Sequence, residues 1–199
     1  MRILIVGAKG DIGQAVCAEL GPRHELITAG RATGDIQVDM GNSASVAAMY
    51  RAIGPLDAVI STAGDVHFAP FQNHTPETMM QGLRSKVMGQ INLVLAGMGY
   101  IAEDGSFTLT SGVLDRDPIQ RGTGAATANG ALAGFVTGAA IEMPHGQRIN
   151  VVSPGLLDVS VPRYGAWFPG HDPVASDRVG RAYAKSVEGA VTGQVIIVS

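Results

Sequence analysis

The chain has 199 residues, of which 46% are hydrophobic and 16% are charged, and its formal net charge is −3. This length suits one substantial hydrophobic core, so we expect a single domain over residues 1–199. The 14 lysine and arginine residues are scattered, which argues against a nucleic-acid or membrane partner and favours a small-molecule substrate.

The first sixteen residues predict a strand, a glycine turn and a helix. An apolar run over 3–6 is followed by Gly7, Gly10 and Gly13, after which apolar residues recur at helical spacing. Such a turn lets the backbone approach a pyrophosphate, and the helix start favours an anion. The alternative is that the glycines only end the strand. The expected dinucleotide contacts are Gly7, Lys9, Gly10, Asp11, Ile12 and Gly13.

Strand and helix patterns alternate along the rest of the chain, which is typical of a doubly wound parallel sheet. Further strands are predicted at 25–29, in a short stretch ending at Val38, and at 56–60, 107–110, 149–152 and 194–198. Helices are predicted at 43–53 with Asn42 as its cap, at 76–98, at 124–142 and, after a loop over 161–173, from Asp172-Pro173 onward. We therefore expect an α/β, Rossmann-type fold with a mostly parallel seven-stranded sheet and helices on both faces.

The cysteine and histidine content sets further limits. Cys17 is the only cysteine, so it cannot form an internal disulfide, and a reducing compartment is favoured. The five histidines are dispersed and there is no CxxC pattern, so we expect no metal site. The chain begins almost directly in a predicted core strand and shows no bilayer-spanning segment or leader, so we expect a cytoplasmic protein.

Four segments, taken in order, resemble the short-chain dehydrogenase/reductase family. They are GAKGDIG at 7–13, STAG at 61–64, INVVSPG at 149–155 and TGQVIIV at 192–198. The resemblance implies a Rossmann fold, a nicotinamide dinucleotide, and hydride transfer to or from a small carbonyl or alcohol substrate. The further cofactor contacts that it implies are Thr62, Ala63, Gly64, Pro154, Gly155 and, beside the adenine, Asp39, for which a loop-capping role is the alternative.

The end of the second predicted strand bears on the choice of dinucleotide. An acidic side chain there would accept hydrogen bonds from an unmodified ribose and would repel a 2′-phosphate. This sequence instead has Ala29-Gly30-Arg31. The planar guanidinium of Arg31 suits a phosphate, and Lys9 could add a second charge. We expect NADP(H) to be favoured over NAD(H), with ordinary surface cations as the alternative.

The catalytic centre departs from the family pattern. Members of the family carry a Ser after the fifth strand, and a Tyr and a Lys four residues apart on the next helix. Aligned on ALAGF at 131–135, the Tyr and Lys positions fall on Ala125 and Asn129. Ser111 lies close to the expected Ser, although Gly112 could equally occupy that position. The tyrosine that protonates the alkoxide in the family is therefore absent.

A second departure lies on the helix predicted over 76–98. Lys86 stands where many family members have an Asn, so Lys86 and Asn129 resemble an exchange between two neighbouring helices. We hypothesise that Lys86 supplies the ammonium group and Asn129 the amide. The alternative is that both are solvated helix residues. Tyr164, Asp115 and Arg116 are further candidates for the missing acid, with ordinary loop roles as their alternative.

Three functions follow as hypotheses. A general acid contributes about 10²- to 10⁴-fold in rate, so its loss does not exclude an enzyme. The first hypothesis is an NADP(H)-dependent reductase whose apolar pocket includes Tyr164, Trp167 and Phe168. The second is a non-catalytic NADP(H) sensor, and the third is a structural subunit. Family resemblance implies a homodimer or homotetramer, paired through the helices at about 76–98 and 124–142.

Overall fold

The computed structural model describes residues 1–199 and contains a seven-stranded sheet in the order β3-β2-β1-β4-β5-β6-β7. All neighbouring strands are parallel. The strands are β1 (Arg2–Val6), β2 (Glu25–Gly30), β3 (Ile36–Gln37), β4 (Leu56–Ser61), β5 (Ile101–Thr110), β6 (Arg148–Pro154) and β7 (Val195–Val198). The Rossmann-type fold is confirmed, and the sheet is wholly rather than mostly parallel.

Helices cover both faces of this sheet. They are α1 (Asp11–Leu20), α2 (Ser43–Ile53), α3 (Pro76–Gly82), α4 (Gly89–Gly97), α5 (Thr123–Ala139), α6 (Val161–Tyr164) and α7 (Ser176–Glu188). The core on one face contains residues of α2, α4 and α5, and the core on the other contains residues of α1 and α7. None of the helices is both long enough and apolar enough to span a membrane.

Strand β1 shows why the sequence forms a buried central strand. Leu4 and Val6 belong to one core, whereas Ile3 and Ile5 belong to the other. Successive side chains of a strand point to opposite faces, so a strand covered on both sides needs apolar residues throughout. The uninterrupted apolar run at the start of the chain is therefore the signature of a strand in the middle of the sheet.

The helix predicted over 76–98 is not uniform. A π-helical segment, Leu83–Met88, separates α3 from α4. Such wide turns are rare and occur frequently at functional sites. Lys86 lies within this segment. Apolar periodicity predicts that a helix is present, but it does not reveal the local change of hydrogen-bond pattern around Lys86.

The region before the last helix differs from the prediction. The segment 161–173 was expected to be a loop, but it begins with α6 and continues as a 3-10 turn, Gly165–Trp167. The last helix begins at Ser176 and not at Asp172-Pro173. The reason is Val174, which is 1% exposed and forms a parallel bridge with Leu157. This extended contact delays the start of the helix.

The strand order places the predicted motifs at one edge of the sheet. From β1 the chain proceeds outward to β2 and β3, and it then returns to the other side of β1 as β4. Ligands of such sheets bind outside the carboxyl ends of the strands, where the order reverses. Here the reversal lies between β1 and β4, which the glycine turn and the STAG segment follow.

Candidate functional site

Two clefts adjoin at the carboxyl edge of the sheet. The first has a volume of about 230 Å³ and lies over the ends of β1, β2 and β4. Seven of the predicted cofactor contacts line it, and they are Gly7, Lys9, Gly10, Arg31, Asp39, Ala63 and Gly64. The structure therefore brings together residues that lie up to 57 positions apart in the chain, as Gly7 and Gly64 do.

The glycine turn allows α1 to pack against the end of β1. Gly7 has a φ of +95°, which favours glycine. A Cβ at Gly13 would lie 2.3 Å from the carbonyl oxygen of Gly7, so a larger residue would push the helix away. No side chain caps the start of α1 at Gly10. An uncapped helix start next to a cleft is suited to an anion such as a pyrophosphate.

The segment after β4 holds the two turns together. The Thr62 hydroxyl donates to the carbonyl oxygens of Gly7 at 3.0 Å and Val6 at 3.2 Å. Gly64 has a φ of +145°, and a Cβ there would lie 2.8 Å from Cγ of Lys86. The glycine therefore lets the backbone pass directly over the Lys86 stem. Thr62 thus connects this segment to the glycine turn, and Gly64 connects it to the helical segment that carries Lys86.

Two charged groups lie at the mouth of the first cleft. Arg31 forms an ion pair with Asp65 at 3.0 Å, with side-chain exposures of 77% and 65%. Lys9 is exposed and forms no ion pair. No carboxylate follows β2 directly, since Gly30 ends the strand and Arg31 comes next. The lining of this cleft therefore includes two cations, Lys9 and Arg31, and two carboxylates, of which Asp65 is paired with Arg31.

Asp39 makes the loop-capping contacts that the sequence analysis gave as the alternative to a place beside the adenine. Its carboxylate accepts a hydrogen bond from the amide of Gly41 at 3.0 Å, and its own amide donates to the Ser45 hydroxyl at 3.0 Å. These bonds cap the loop before α2. Asp39 nevertheless lines the first cleft, so its loop-capping contacts do not remove it from the cofactor side.

The second cleft is larger and mostly apolar. It has a volume of about 550 Å³, and the ring centroids of Phe68 and Trp167 lie 5.9 Å apart at its wall. The apolar wall residues are Ile12, Val66, Phe68, Val113, Leu114, Ala125, Leu156, Leu157, Tyr164, Trp167 and Phe168. Pro154 and Gly155, predicted as cofactor contacts, also line it. An apolar cleft with few polar groups is typical of a small-molecule site.

Lys86 and Asn129 meet at the floor of the second cleft. Nζ of Lys86 donates to Oδ1 of Asn129 at 2.6 Å and to the carbonyl oxygen of Ser111 at 2.9 Å. Nδ2 of Asn129 donates in turn to the carbonyl oxygen of Gly112 at 3.0 Å. Asn129 is 2% exposed and Lys86 is half-buried, so the alternative of two solvated helix residues does not describe them.

The environment of Lys86 perturbs its ionisation. Burial lowers the pKa of the ammonium group to about 8, while the negative charge of Asp115 acts in the opposite direction. Both hydrogen-bond partners of Nζ are neutral oxygens. No carboxylate therefore neutralises this cation directly, and such strongly perturbed lysines are frequent at functional sites.

Ser111 presents an unpaired hydroxyl. The residue is 4% exposed and lines the second cleft, and its Oγ has no hydrogen-bond partner. Buried polar groups are nearly always hydrogen-bonded, so an unpaired one at a cleft is suited to a ligand. Gly112 contributes only its backbone, through the carbonyl that orients Asn129. Ser111 is thus the residue that offers a side-chain group here.

The end of β5, directly before Ser111, is fixed by a buried glutamine that the sequence analysis did not single out. Oε1 of Gln90 accepts from the amide of Thr110 at 2.8 Å, and Nε2 of Gln90 donates to the carbonyl oxygen of Thr110 at 2.9 Å. Gln90 is fully buried. The signal available in the sequence was a glutamine within a mostly apolar stretch of the predicted helix, because a polar residue that is buried needs a specific partner.

The other candidates for the missing acid are placed differently. Tyr164 lies in the wall of the second cleft, and its ring stacks under the Arg163 guanidinium at 5.6 Å. It makes no hydrogen bond to Lys86 or Ser111. Asp115 pairs with Arg116 at 2.8 Å, and neither residue lines the cleft. The structure brings Tyr164 to the cleft and leaves this ion pair outside it.

Asp11 makes a contact that the sequence analysis missed. Its carboxylate accepts hydrogen bonds from Arg163 and Ser160, and both bonds lower the pKa of Asp11. These partners belong to the segment that forms one wall of the second cleft. Ser160 lies 149 residues from Asp11, so no local sequence pattern could have revealed the contact.

The strand order, the glycine turn and the paired clefts define a Rossmann-type fold, a class in which ligands such as dinucleotides bind at this edge of the sheet. A sequence model described as enoyl-(acyl carrier protein) reductase matches residues 8–198. The chain belongs to the short-chain dehydrogenase/reductase family, whose members are oxidoreductases that use a nicotinamide dinucleotide. The recognition made from the four sequence motifs is confirmed.

Solved structures agree with this assignment. The protein lin1944 from Listeria innocua is 46% identical, with a TM-score of 0.98 and 100% of each chain covered. A small-chain dehydrogenase is 25% identical, with a TM-score of 0.85 over 100% of this chain and 96% of the other. A small-chain dehydrogenase in complex with NADPH is 24% identical, with a TM-score of 0.87 and the same coverage. No curated protein sequence matched the chain.

Proposed function

We propose that this protein is an NADP(H)-dependent oxidoreductase that transfers hydride to or from a small carbonyl or alcohol substrate. The observation that carries the proposal is the continuity of the two clefts, which share Gly10 and Gly64 as lining residues. The first cleft has the cations Lys9 and Arg31 at its mouth, and the second is mostly apolar with Lys86 at its floor. A dinucleotide that runs through both would supply the hydride beside that floor.

The residues of the first cleft fit a phosphorylated dinucleotide. The uncapped start of α1 and its glycine turn suit the pyrophosphate. Arg31 and Lys9 suit a 2′-phosphate, and no carboxylate stands at the end of β2 to accept hydrogen bonds from an unmodified ribose. The exposed Arg31–Asp65 pair holds the guanidinium at the mouth of the cleft. These features support NADP(H) over NAD(H).

The residues of the second cleft fit a carbonyl substrate. The free hydroxyl of Ser111 would donate a hydrogen bond to the carbonyl oxygen. The Lys86 ammonium lies 2.9 Å from the backbone oxygen of the same serine, so it would stabilise negative charge that develops on that substrate oxygen. The aromatic and aliphatic walls would bind the apolar part of the substrate and exclude water.

A non-catalytic NADP(H) sensor is the second candidate function. In the family alignment made on ALAGF, Ala125 falls at the tyrosine position, and the structure shows it 3% exposed and packed against Val113 and Leu114. That position therefore offers no acid. This observation favours binding without turnover, and it makes the activity test necessary beside the binding test.

We also propose that the protein forms a homodimer or homotetramer through α3, α4 and α5. Side-chain space is open at Gly130, Gly134 and Gly138 on α5, so a second helix could approach this face closely. A structural subunit, the third hypothesis, would use the same surface. The proposed location remains the cytoplasm, because Cys17 has no disulfide partner in the chain.

The test begins with thermal shifts in NADPH, NADP⁺, NADH and NAD⁺. A ligand at a hundredfold excess over its dissociation constant adds about 2.7 kcal/mol of stability. The expected result is a clear shift with the phosphorylated pair and a smaller one with the other pair. Absence of a shift with all four would contradict the proposal. A shift without any NADPH oxidation by para-nitrobenzaldehyde or phenanthrenequinone would favour the sensor.

A further inference from the structure

We infer that Lys86 is the proton donor when a carbonyl substrate is reduced and the proton acceptor in the reverse direction, with Asn129 as its positioning residue. This inference rests on the proposed function, because it assigns a proton path to the second cleft. Lys86 lies in the π-helical segment of the neighbouring helix and takes the role of the family tyrosine, whose aligned position in this chain is Ala125.

The hydrogen bonds of Lys86 leave one proton position free. A lysine ammonium has three N–H donors and no acceptor. Two of the donors of Lys86 are directed to Oδ1 of Asn129 and to the carbonyl oxygen of Ser111. The third has no acceptor in the protein, and Lys86 lines the second cleft. A substrate oxygen in that cleft can therefore accept it.

The same two anchors suit the neutral amine. A neutral amine has two N–H donors and one lone pair, so both anchoring bonds persist and the lone pair takes the third position. Asn129 cannot rotate easily to offer its NH₂ group instead, because Nδ2 donates to the carbonyl oxygen of Gly112. Loss and gain of a proton thus occur at one position, and the two anchoring bonds need not break.

The surrounding charges leave this proton weakly held. Burial lowers the pKa of Lys86 to about 8, which brings it close to the pH at which proton transfer is most effective. Asp115 opposes this change, but its carboxylate already pairs with Arg116 at 2.8 Å. Asp65, which follows Gly64, pairs with Arg31 at 3.0 Å. No carboxylate hydrogen-bonds to Nζ.

The other polar groups of the cleft serve this step less well. The Ser111 hydroxyl has no hydrogen-bond partner through which it could regain a proton. Tyr164 is 47% exposed and bonds to neither Lys86 nor Ser111. Ser111 is therefore suited to hold the substrate oxygen, while Lys86 delivers the proton to it.

The step balances as follows in the direction of reduction. The substrate carbonyl carbon accepts the hydride that the reduced nicotinamide dinucleotide supplies, and the C=O π electrons move to the oxygen. That oxygen takes the proton from Nζ of Lys86 as the N–H bond breaks. The products are an alcohol, the oxidised dinucleotide and a neutral lysine, which regains its proton from water.

The ionisation of Lys86 can be measured without cofactor or substrate. The chain has three lysines, Lys9, Lys86 and Lys185, so protein grown on isotopically labelled lysine gives few NMR signals, and Lys86→Arg identifies one of them by its loss. We expect that signal to titrate near pH 8 rather than near 10.5. Asn129→Asp should move the midpoint upward, because a carboxylate would then face Nζ. An ordinary lysine midpoint in the wild type would overturn the inference.

Kinetics provide the second measurement, with NADPH and para-nitrobenzaldehyde as the probe. Reduction needs protonated Lys86, so kcat should fall as the pH rises through about 8. Lys86→Met should lose at least about 100-fold in kcat, with a smaller change in KM. The fall in kcat with rising pH should be absent in Lys86→Arg, and in Asn129→Asp its midpoint should move to a higher pH. Lys185→Met, which changes an exposed lysine of α7, is the control.

The outcomes separate this inference from the proposed function. If wild-type protein reduces the probe and Lys86→Met keeps the wild-type rate and pH profile, Lys86 is not the proton donor, and the proposed function stands. If the wild type neither shifts with NADPH nor oxidises it, the proposed function fails and the inference fails with it. A solvent isotope effect on kcat that disappears in Lys86→Arg would support the assignment directly.

Discussion

Arg31 reaches the adenosine side of the first cleft, but Asp65 already holds its guanidinium at 3.0 Å. Both side chains are mostly exposed, and an exposed ion pair contributes only about 0–1 kcal/mol. A 2′-phosphate could therefore draw Arg31 away from Asp65 at little cost.

The Arg31 variant tests the choice of dinucleotide. Arg31→Ala should weaken NADPH binding by about 10- to 100-fold and NADH binding far less, because a hydrogen bond to a charged group contributes about 1.5–3 kcal/mol. Asp65→Asn should strengthen NADPH binding, since it removes a competitor for Arg31. Titration of NADPH and NADH fluorescence measures both effects. Arg51→Ala, on an exposed position of α2, is the control, and equal losses for both dinucleotides would contradict the assignment.

The central strands and the glycine turn could be predicted from the sequence, because burial of β1 on both faces demands an apolar run and Gly13 has no room for a Cβ. The contact between Lys86 and Asn129 agrees with one of the two alternatives that the family motif left open. The π-helical segment Leu83–Met88 was not predicted, because apolar periodicity does not distinguish it from an α-helix. The delayed start of α7 was not predicted either, since it depends on the bridge between Val174 and the distant Leu157. The apolar pattern of the sequence therefore predicts which helices and strands form, whereas tertiary contacts determine where the last helix begins.

Helix α6 shows what such distant contacts do for the site. It has only four residues, too few to be stable alone. Asp11, in the first turn of α1, holds the segment through Arg163 and Ser160. The same segment contributes Ser160 and Tyr164 to the second cleft. The first turn of α1 and the wall of the second cleft are thereby joined through one carboxylate.

Removal of that carboxylate charge should loosen the wall. Asp11→Asn should increase the rate of trypsin cleavage after Arg163 several-fold, because the asparagine amide cannot replace two charge-assisted bonds. Timed digestion followed by mass spectrometry identifies the cleavage site. Asp177→Asn is the matched control, since it breaks the exposed pair with Arg181 on α7. Equal cleavage of both variants at Arg163 would show that Asp11 does not hold the segment.

At the scale of the whole molecule, α5 separates the site from the outer surface. Asn129 faces inward and is 2% exposed, whereas the next residue, Gly130, is exposed with open space at its Cβ position. Gly134 and Gly138 continue this outer face at helical spacing. One face of the helix thus carries Asn129, which hydrogen-bonds to Lys86. The opposite face has glycines in place of larger side chains, so another helix could pack closely against it. Association through it would brace the element that positions Asn129.

The proposed association predicts that wild-type protein is a dimer or tetramer by light scattering at micromolar concentration, and that Gly134→Glu is a monomer. A glutamate there would place bulk and charge between closely packed helices. The substitution should not harm the fold of a single chain, because its Cβ has no neighbour within 4 Å and Glu favours a helix more than Gly does. Gly99→Glu, also in open space but in the turn after α4, is the control. A monomeric wild type would contradict the proposed association, whereas a monomeric but thermally stable Gly134→Glu would locate the contact on α5.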